Sequence, residues 1–259
     1  MSGTAAGYDL SVSTFSPDGH VFQVEYATKA VDTAPTVVGA VCSDGIVFLA
    51  DSILCGYKHG EDAKSNVLQA RPTIRLYAID EGVGCAVTGM IPDAQCIVRH
   101  AKSECKSFFA EYGVKIPVSL LAERVALFVH AYTLYWHVRP FGASMILSGI
   151  DSNGEKSLYC IEPSGACYKY AGMAIGKCKH LVKTEMEKFI LSGMSCRDAL
   201  KELSLAIMIG RDEDSGKTND LQMAWICDES GGEFQMIPED IAAETKADAS
   251  RRHAAIHGQ

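Results

Sequence analysis

The sequence predicts an α/β protein of four layers, αββα, in which two mainly antiparallel sheets lie face to face and helices cover the outside of each. Two observations carry this. Strand-like and helix-like segments come in pairs rather than alternating singly, which argues against a doubly wound parallel sheet. The strand pairs are also joined by tight turns, Ser43-Asp44-Gly45 and Asp80-Glu81-Gly82, and such turns connect antiparallel neighbours. With 259 residues, 47% of them hydrophobic, the chain has enough apolar surface to fill a core of this kind.

Along the chain, the first signal is Ser16-Pro17-Asp18-Gly19, a turn sequence. A helix is expected over residues 20–31, where Val24, Ala27 and Val31 form one apolar stripe, and Pro35 prevents its continuation. Strands follow at 37–42 and 46–50, then a polar loop over 57–66, then strands at 74–79 and 83–88. From there the apolar period lengthens from two to 3.6. Residues 92–110 place Ile97, Val98, Ala101, Cys105, Phe108 and Phe109 on one helical face. Residues 118–137 do the same with Leu121, Val125, Phe128, Val129 and Tyr132. Strands return at 143–150, 157–161 and 166–170. Two helices come next, the second with Ser195 as N-cap and Asp198 three residues on. Strands around 221–227 and 233–236 complete the core, and 242–259 reads as a short helix with a frayed end.

Composition excludes several function classes. A net charge of -8 leaves no cationic excess to neutralise nucleic-acid phosphates, and the scattered basic residues form no membrane-surface patch. No apolar run approaches the ~18 residues of a membrane span, and the first ten residues have no signal-peptide pattern. The ten cysteines contain no CxxC pair and sit mostly in apolar runs, as small buried hydrophobes of a reducing compartment do. The eight histidines show no HExxH spacing, so no metal and no cofactor is expected. Gly82-Val83-Gly84 lacks the dinucleotide fingerprint, and the aromatic stretch 132–136 is expected to pack as part of its helix.

One segment is far more specific. The run from Phe15 to Ala27, Phe-Ser-Pro-Asp-Gly-His-Val-Phe-Gln-Val-Glu-Tyr-Ala, resembles the N-terminal motif of proteasome alpha subunits. The resemblance continues through Val38-Gly39, Ala50-Asp51-Ser52, Thr88-Gly89-Met90, Val138-Arg139-Pro140-Phe141-Gly142 and Ala174-Ile175-Gly176-Lys177. Within that family, Tyr8-Asp9-Leu10-Ser11 and the stretch 130–135 point to one subunit type. That type usually ends in an acidic run, whereas this chain ends in Arg251-Arg252-His253 and a short neutral tail.

The resemblance implies the N-terminal-nucleophile hydrolase fold, with a gate segment at 1–15, the family domain at 16–241 and a tail at 242–259. Active members of that fold use an N-terminal Thr, assisted by a Lys and a supporting Asp. Asp51 matches the supporting Asp. Sixteen positions before it stands Pro35, which has no hydroxyl and lies inside the chain; Thr36 is its neighbour. The Lys position is held by Arg75, a poor general base because it stays protonated. Gly3-Thr4 has the look of a processing site without the strand that should follow it. The chain is therefore expected to be a non-catalytic structural and gating subunit, with catalytic residues none.

By the same resemblance, the helix at 20–31 lies across the end of the sandwich, although its stripe is also that of any surface amphipathic helix. Residues 2–7, small and polar, would help close a pore. Tyr8, Asp9, Pro17 and Tyr26 match a cluster that holds the open gate, or else they simply pin the start of the chain. Arg75 could receive the C-terminal carboxylate of a regulator, or serve the sheet or a subunit interface. The implied partners are neighbouring alpha subunits, beta-ring subunits and regulatory cap particles, with no nucleic acid and no membrane. The implied location is cytoplasm and nucleus.

Overall fold

The structure, a computed structural model, describes residues 7–53, 73–211 and 219–257. Helix α1 (Phe22–Asp32) precedes strands β1 (Val37–Val41), β2 (Gly45–Ile53), β3 (Leu76–Asp80) and β4 (Val83–Gly89). Helices α2 (Ile91–Tyr112) and α3 (Val118–Ala131) follow, then β5 (Ala143–Ile150), β6 (Lys156–Ile161), β7 (Cys167–Tyr170) and β8 (Gly172–Ile175). The chain continues with α4 (Lys179–Met186), α5 (Cys196–Ile209), β9 (Asn219–Cys227), β10 (Gln235–Met236) and α6 (Glu239–His257).

The strands form two five-stranded sheets, ordered β10-β9-β2-β1-β8 and β3-β4-β5-β6-β7. Every pairing in both sheets is antiparallel. Three apolar cores separate the four layers. α2 and α3 pack on one face of the second sheet, α4 and α5 pack on one face of the first, and the two sheets meet in the middle. Strand β2 shows how the sequence produces this. Ile46, Phe48 and Ala50 enter the middle core, while Val47 and Leu49 enter the core under the helices. A strand buried on both faces reads as a continuous apolar run, and each such fully buried side chain contributes roughly 1.5–3 kcal/mol.

Four expectations need correction. The apolar pattern does not signal the strand at Gly172–Ile175. β7 is an edge strand of one sheet and β8 of the other, so the chain changes sheet through the single residue Ala171. Its carbonyl accepts a hydrogen bond from Val41 N at 2.8 Å, and no side-chain period records such a corner. Helix α3 ends at Ala131 rather than 137. Three successive i to i+3 bonds, from the amides of Tyr132, Thr133 and Leu134, tighten the chain there, and Thr133 Oγ1 donates to the His130 carbonyl at 2.7 Å. Consequently Tyr132 packs against Phe128 and Phe141, but Trp136 is 79% exposed. Phe109, expected on the buried face of α2, is 57% exposed.

The fourth correction concerns α6, which is no short helix: it runs to His257. Thr245 and Ala249 are buried, and ion pairs link it to α5 and β9: Lys201–Glu244, Arg252–Glu202 and Lys246–Asp220. The loop expected at 57–66 lies outside the described residues. Among the described residues, no helix is long and apolar enough to cross a membrane.

Candidate functional site

The turn Ser16-Pro17-Asp18-Gly19 forms as its residues dictate. Gly19 N donates to the Ser16 carbonyl at 2.9 Å, with Pro17 at the position where its fixed φ is favourable. Ser16 Oγ also accepts from His20 N at 3.0 Å. Helix α1 then buries Ala27 and Val31. It packs against β4 and β5, and Asp32 pairs with Lys179 of α4 at 2.6 Å. The helix thus spans from the second sheet to the outer helix layer of the first, across one end of the sandwich.

At that end the chain passes from α1 into β1 through Ala34, Pro35 and Thr36. Partners hold the carbonyls and the hydroxyl of this passage. The Pro35 carbonyl accepts from Thr88 Oγ1 at 2.5 Å. The Thr36 carbonyl accepts from Asp51 N at 2.8 Å, and that of Ala34 from Lys177 N at 2.9 Å. Thr36 Oγ1, on a residue only 3% exposed, accepts from Cys178 N at 3.2 Å. Gly176 holds φ at +108°, and a Cβ there would stand 2.6 Å from the Pro35 oxygen; only glycine permits this approach. Pro35, the residue that the resemblance sets at the nucleophile's place, is therefore a mid-chain proline with its carbonyl bonded and with neither hydroxyl nor free amine.

Beside it lie three charged residues. Asp51 on β2 accepts from Arg211 Nη2 at 2.9 Å. Burial pushes the Asp51 carboxyl above its ordinary range, opposed by the charge and hydrogen bond of Arg211 and by the charge of Arg75. Arg75 is 6% exposed. Its backbone is fixed on both sides: its N–H donates to Gln222 Oε1 at 3.1 Å and its carbonyl accepts from Val87 N at 2.9 Å. Burial lowers the affinity of the guanidinium for its proton, with Asp51 and Tyr77 acting in the other direction. Among the described residues, Arg75 Nε and Nη1 and Arg211 Nε are buried without a hydrogen-bond partner. Arg75 stays protonated and is a poor base.

Known proteins share both the body of the chain and the segment ahead of it. Residues 31–226 match the family model "Proteasome subunit", and residues 8–30 match the N-terminal signature of A-type proteasome subunits. The chain belongs to the proteasome alpha-subunit family. "Proteasome subunit alpha type-3" of Arabidopsis thaliana is 46% identical over 249 residues, 96% of each chain. The protein of the same name from Dictyostelium discoideum is 39% identical, over 97% of each. "Probable proteasome subunit alpha type-7" of Saccharomyces cerevisiae is 36% identical, over 94% of this chain and 83% of its own. As an alpha-type member of the 20S core, the chain is a non-catalytic part of a threonine protease complex and assembles with other proteasome subunits.

The remaining predicted residues lie elsewhere. Tyr8, Pro17 and Tyr26 are exposed and Asp9 is half-buried. No hydrogen bond among the described residues joins one of these four side chains to another. The Asp9 carbonyl accepts instead from Gln23 Nε2 of α1, and Tyr26 stacks on Phe22 with centroids 6.3 Å apart. Gly3-Thr4 and most of the 2–7 segment lie outside the described residues. Sequence reading missed Arg211 and Gln222, which stand 160 and 147 residues from Asp51 and Arg75. No local pattern marks such partners.

Proposed function

We propose that this subunit gates the pore of the alpha ring and receives regulatory cap particles, with Tyr8, Asp9, Pro17 and Tyr26 holding the open gate and Arg75 binding a cap's terminal carboxylate. The observation that carries the docking part is the state of Arg75. A guanidinium on a residue only 6% exposed, with two N–H donors unpaired, is an expensive arrangement unless an acceptor arrives. A carboxylate matches its fork and can take two parallel hydrogen bonds.

The gating part is supported by the segment ahead of α1. Leu10 is 86% and Phe15 70% exposed. Together with Val24 and Leu134, Phe15 borders a groove of about 500 Å³. These surfaces suit contact with neighbouring alpha subunits, and the Asp9–Gln23 bond anchors the segment to α1 while leaving Tyr8 outward. The beta ring would lie on the other side of the alpha ring, and the working location of such a particle would be cytoplasm and nucleus.

Two measurements test this on assembled particles. Deleting residues 2–7 is expected to raise basal peptide hydrolysis several-fold; an unchanged rate removes the gating role. Peptides copying the C-termini of the caps are expected to bind wild-type particles as free acids, and at least tenfold more weakly as amides or to Arg75→Met, as loss of a charge-assisted pair predicts. Equal binding of acid and amide removes Arg75 from the docking site.

A further inference from the structure

Asp51 takes its hydrogen bond from Arg211, and none of the hydrogen bonds among the described residues joins it to Arg75. We infer that Arg211 is a positioning residue: by occupying Asp51 it keeps the guanidinium of Arg75 unpaired and available to an incoming carboxylate. This rests on the docking reading above.

The argument is one of competition. Among the described residues, the charges acting on Asp51 are those of two arginines, Arg211 and Arg75, which therefore compete for one carboxylate. Which arginine holds it is a matter of geometry. Asp51 and Arg211 have side chains 11% and 22% exposed and meet at 2.9 Å, a distance typical of a charge-assisted bond. Arg75 feels Asp51 only through its charge, and keeps Nε and Nη1 without a partner. The backbone of Arg75 is held by Gln222 and Val87. Without Arg211, the buried Asp51 carboxylate would lack its hydrogen-bonded cation, and Arg75 is the other arginine whose charge it already feels. Burial makes an unpaired carboxylate there costly, so the two would draw together and Arg75 would be consumed. Arg211 itself need never touch the ligand.

This separates a positioning role from a contact role. In assembled particles, binding of the free-acid cap peptide is measured for Arg211→Gln, Asp51→Asn, and Asp51→Asn with Arg211→Gln together. Arg211→Gln is expected to weaken binding roughly tenfold, the loss of one charge-assisted contact. The double variant is expected to recover wild-type affinity, since no carboxylate then competes for Arg75. Asp51→Asn alone should bind at least as well as wild type. A double variant that binds as poorly as Arg211→Gln overturns the inference, because Arg211 would then contribute directly or through the fold. Should Arg211→Gln fail to enter particles, the double variant still decides: wild-type binding supports positioning, and weak binding sinks it. Loss with Arg75→Met but none with Arg211→Gln rejects this inference alone. No loss with Arg75→Met rejects the docking reading beneath it.

Discussion

Arg139 grips Asp93 with two parallel hydrogen bonds, Nη1 to Oδ2 at 2.6 Å and Nη2 to Oδ1 at 2.9 Å. Asp93 stands in the first turn of α2, where a negative charge also complements the helix dipole. Its Oδ2 accepts a third bond from Gly142 N at 2.9 Å. One carboxylate therefore joins the start of α2 to the Arg139–Gly142 segment that leads into β5.

Asp93→Asn is expected to cost about 1 kcal/mol, since the buried Gly142 amide loses its charged acceptor while Arg139, with a side chain 61% exposed, is rehydrated. Burial pushes the carboxyl upward, but Arg139 and the Gly142 amide together hold it below its ordinary value. A depressed carboxyl contributes stability that is present above its unfolded value, about 3.9, and is lost as pH falls through the lower folded value. Urea titrations of the purified chain should show wild type losing stability below about pH 4 more steeply than the variant. Equal slopes would mean that Asp93 is not held as a charge.

Restoring a hydroxyl at the nucleophile position should not restore catalysis. Pro35→Thr still places the residue mid-chain after α1, with no free amine, and Arg75 where a base is needed. Particles carrying it, with their beta subunits blocked by a threonine-directed inhibitor, are expected to show no peptide hydrolysis. Any turnover above the blocked wild type would contradict the account of the site.

The thiols should divide by burial. Burial pushes Cys85, Cys105 and Cys160 up to about 12 and Cys167 up to about 11. At pH 8 the thiolate fraction of the first three is on the order of one in ten thousand. Iodoacetamide followed by peptide mass mapping is expected to leave them unmodified in the native particle and to label them after unfolding. Rapid native labelling of Cys85 would show that the α2–α3 core opens.

Helix α6 offers a comparison of packing with ion pairing. Ala249→Leu forces extra volume into a site with no exposure and should cost about 1–3 kcal/mol. Glu202→Gln loses the paired bonds from Arg252, both 2.8 Å. The Arg252 and Glu202 side chains are 40% and 20% exposed, so the loss should stay under about 1 kcal/mol. Thermal unfolding midpoints would rank the two, and the reverse order would assign α6 to electrostatics.

What was legible in the sequence follows from what is local. The hairpin turns and the runs buried on both faces, such as Ile46 to Ala50, gave the antiparallel pairs and the layering. The motif from Phe15 to Ala27 gave the family, and the family resemblance, with Pro35 at the place it assigns to the nucleophile, gave the expectation of no catalysis. What escaped was relational. The Ala171 corner is one residue long, and α3 stops through i to i+3 bonds that leave the apolar stripe unbroken. The Arg211–Asp51 and Arg139–Asp93 pairs join positions far apart in the chain, where sequence spacing carries no information.

The C-terminal half of helix α1 is moored twice, by Ala27 and Val31 against the sandwich and by Asp32 to Lys179. Mechanically it is a strut. A pull on residues 7–15 meets the Ser16–Gly19 turn first and then a beam braced on two layers, so the load spreads into the whole body instead of peeling one strand. A displacement ahead of the turn would therefore leave the body behind it still.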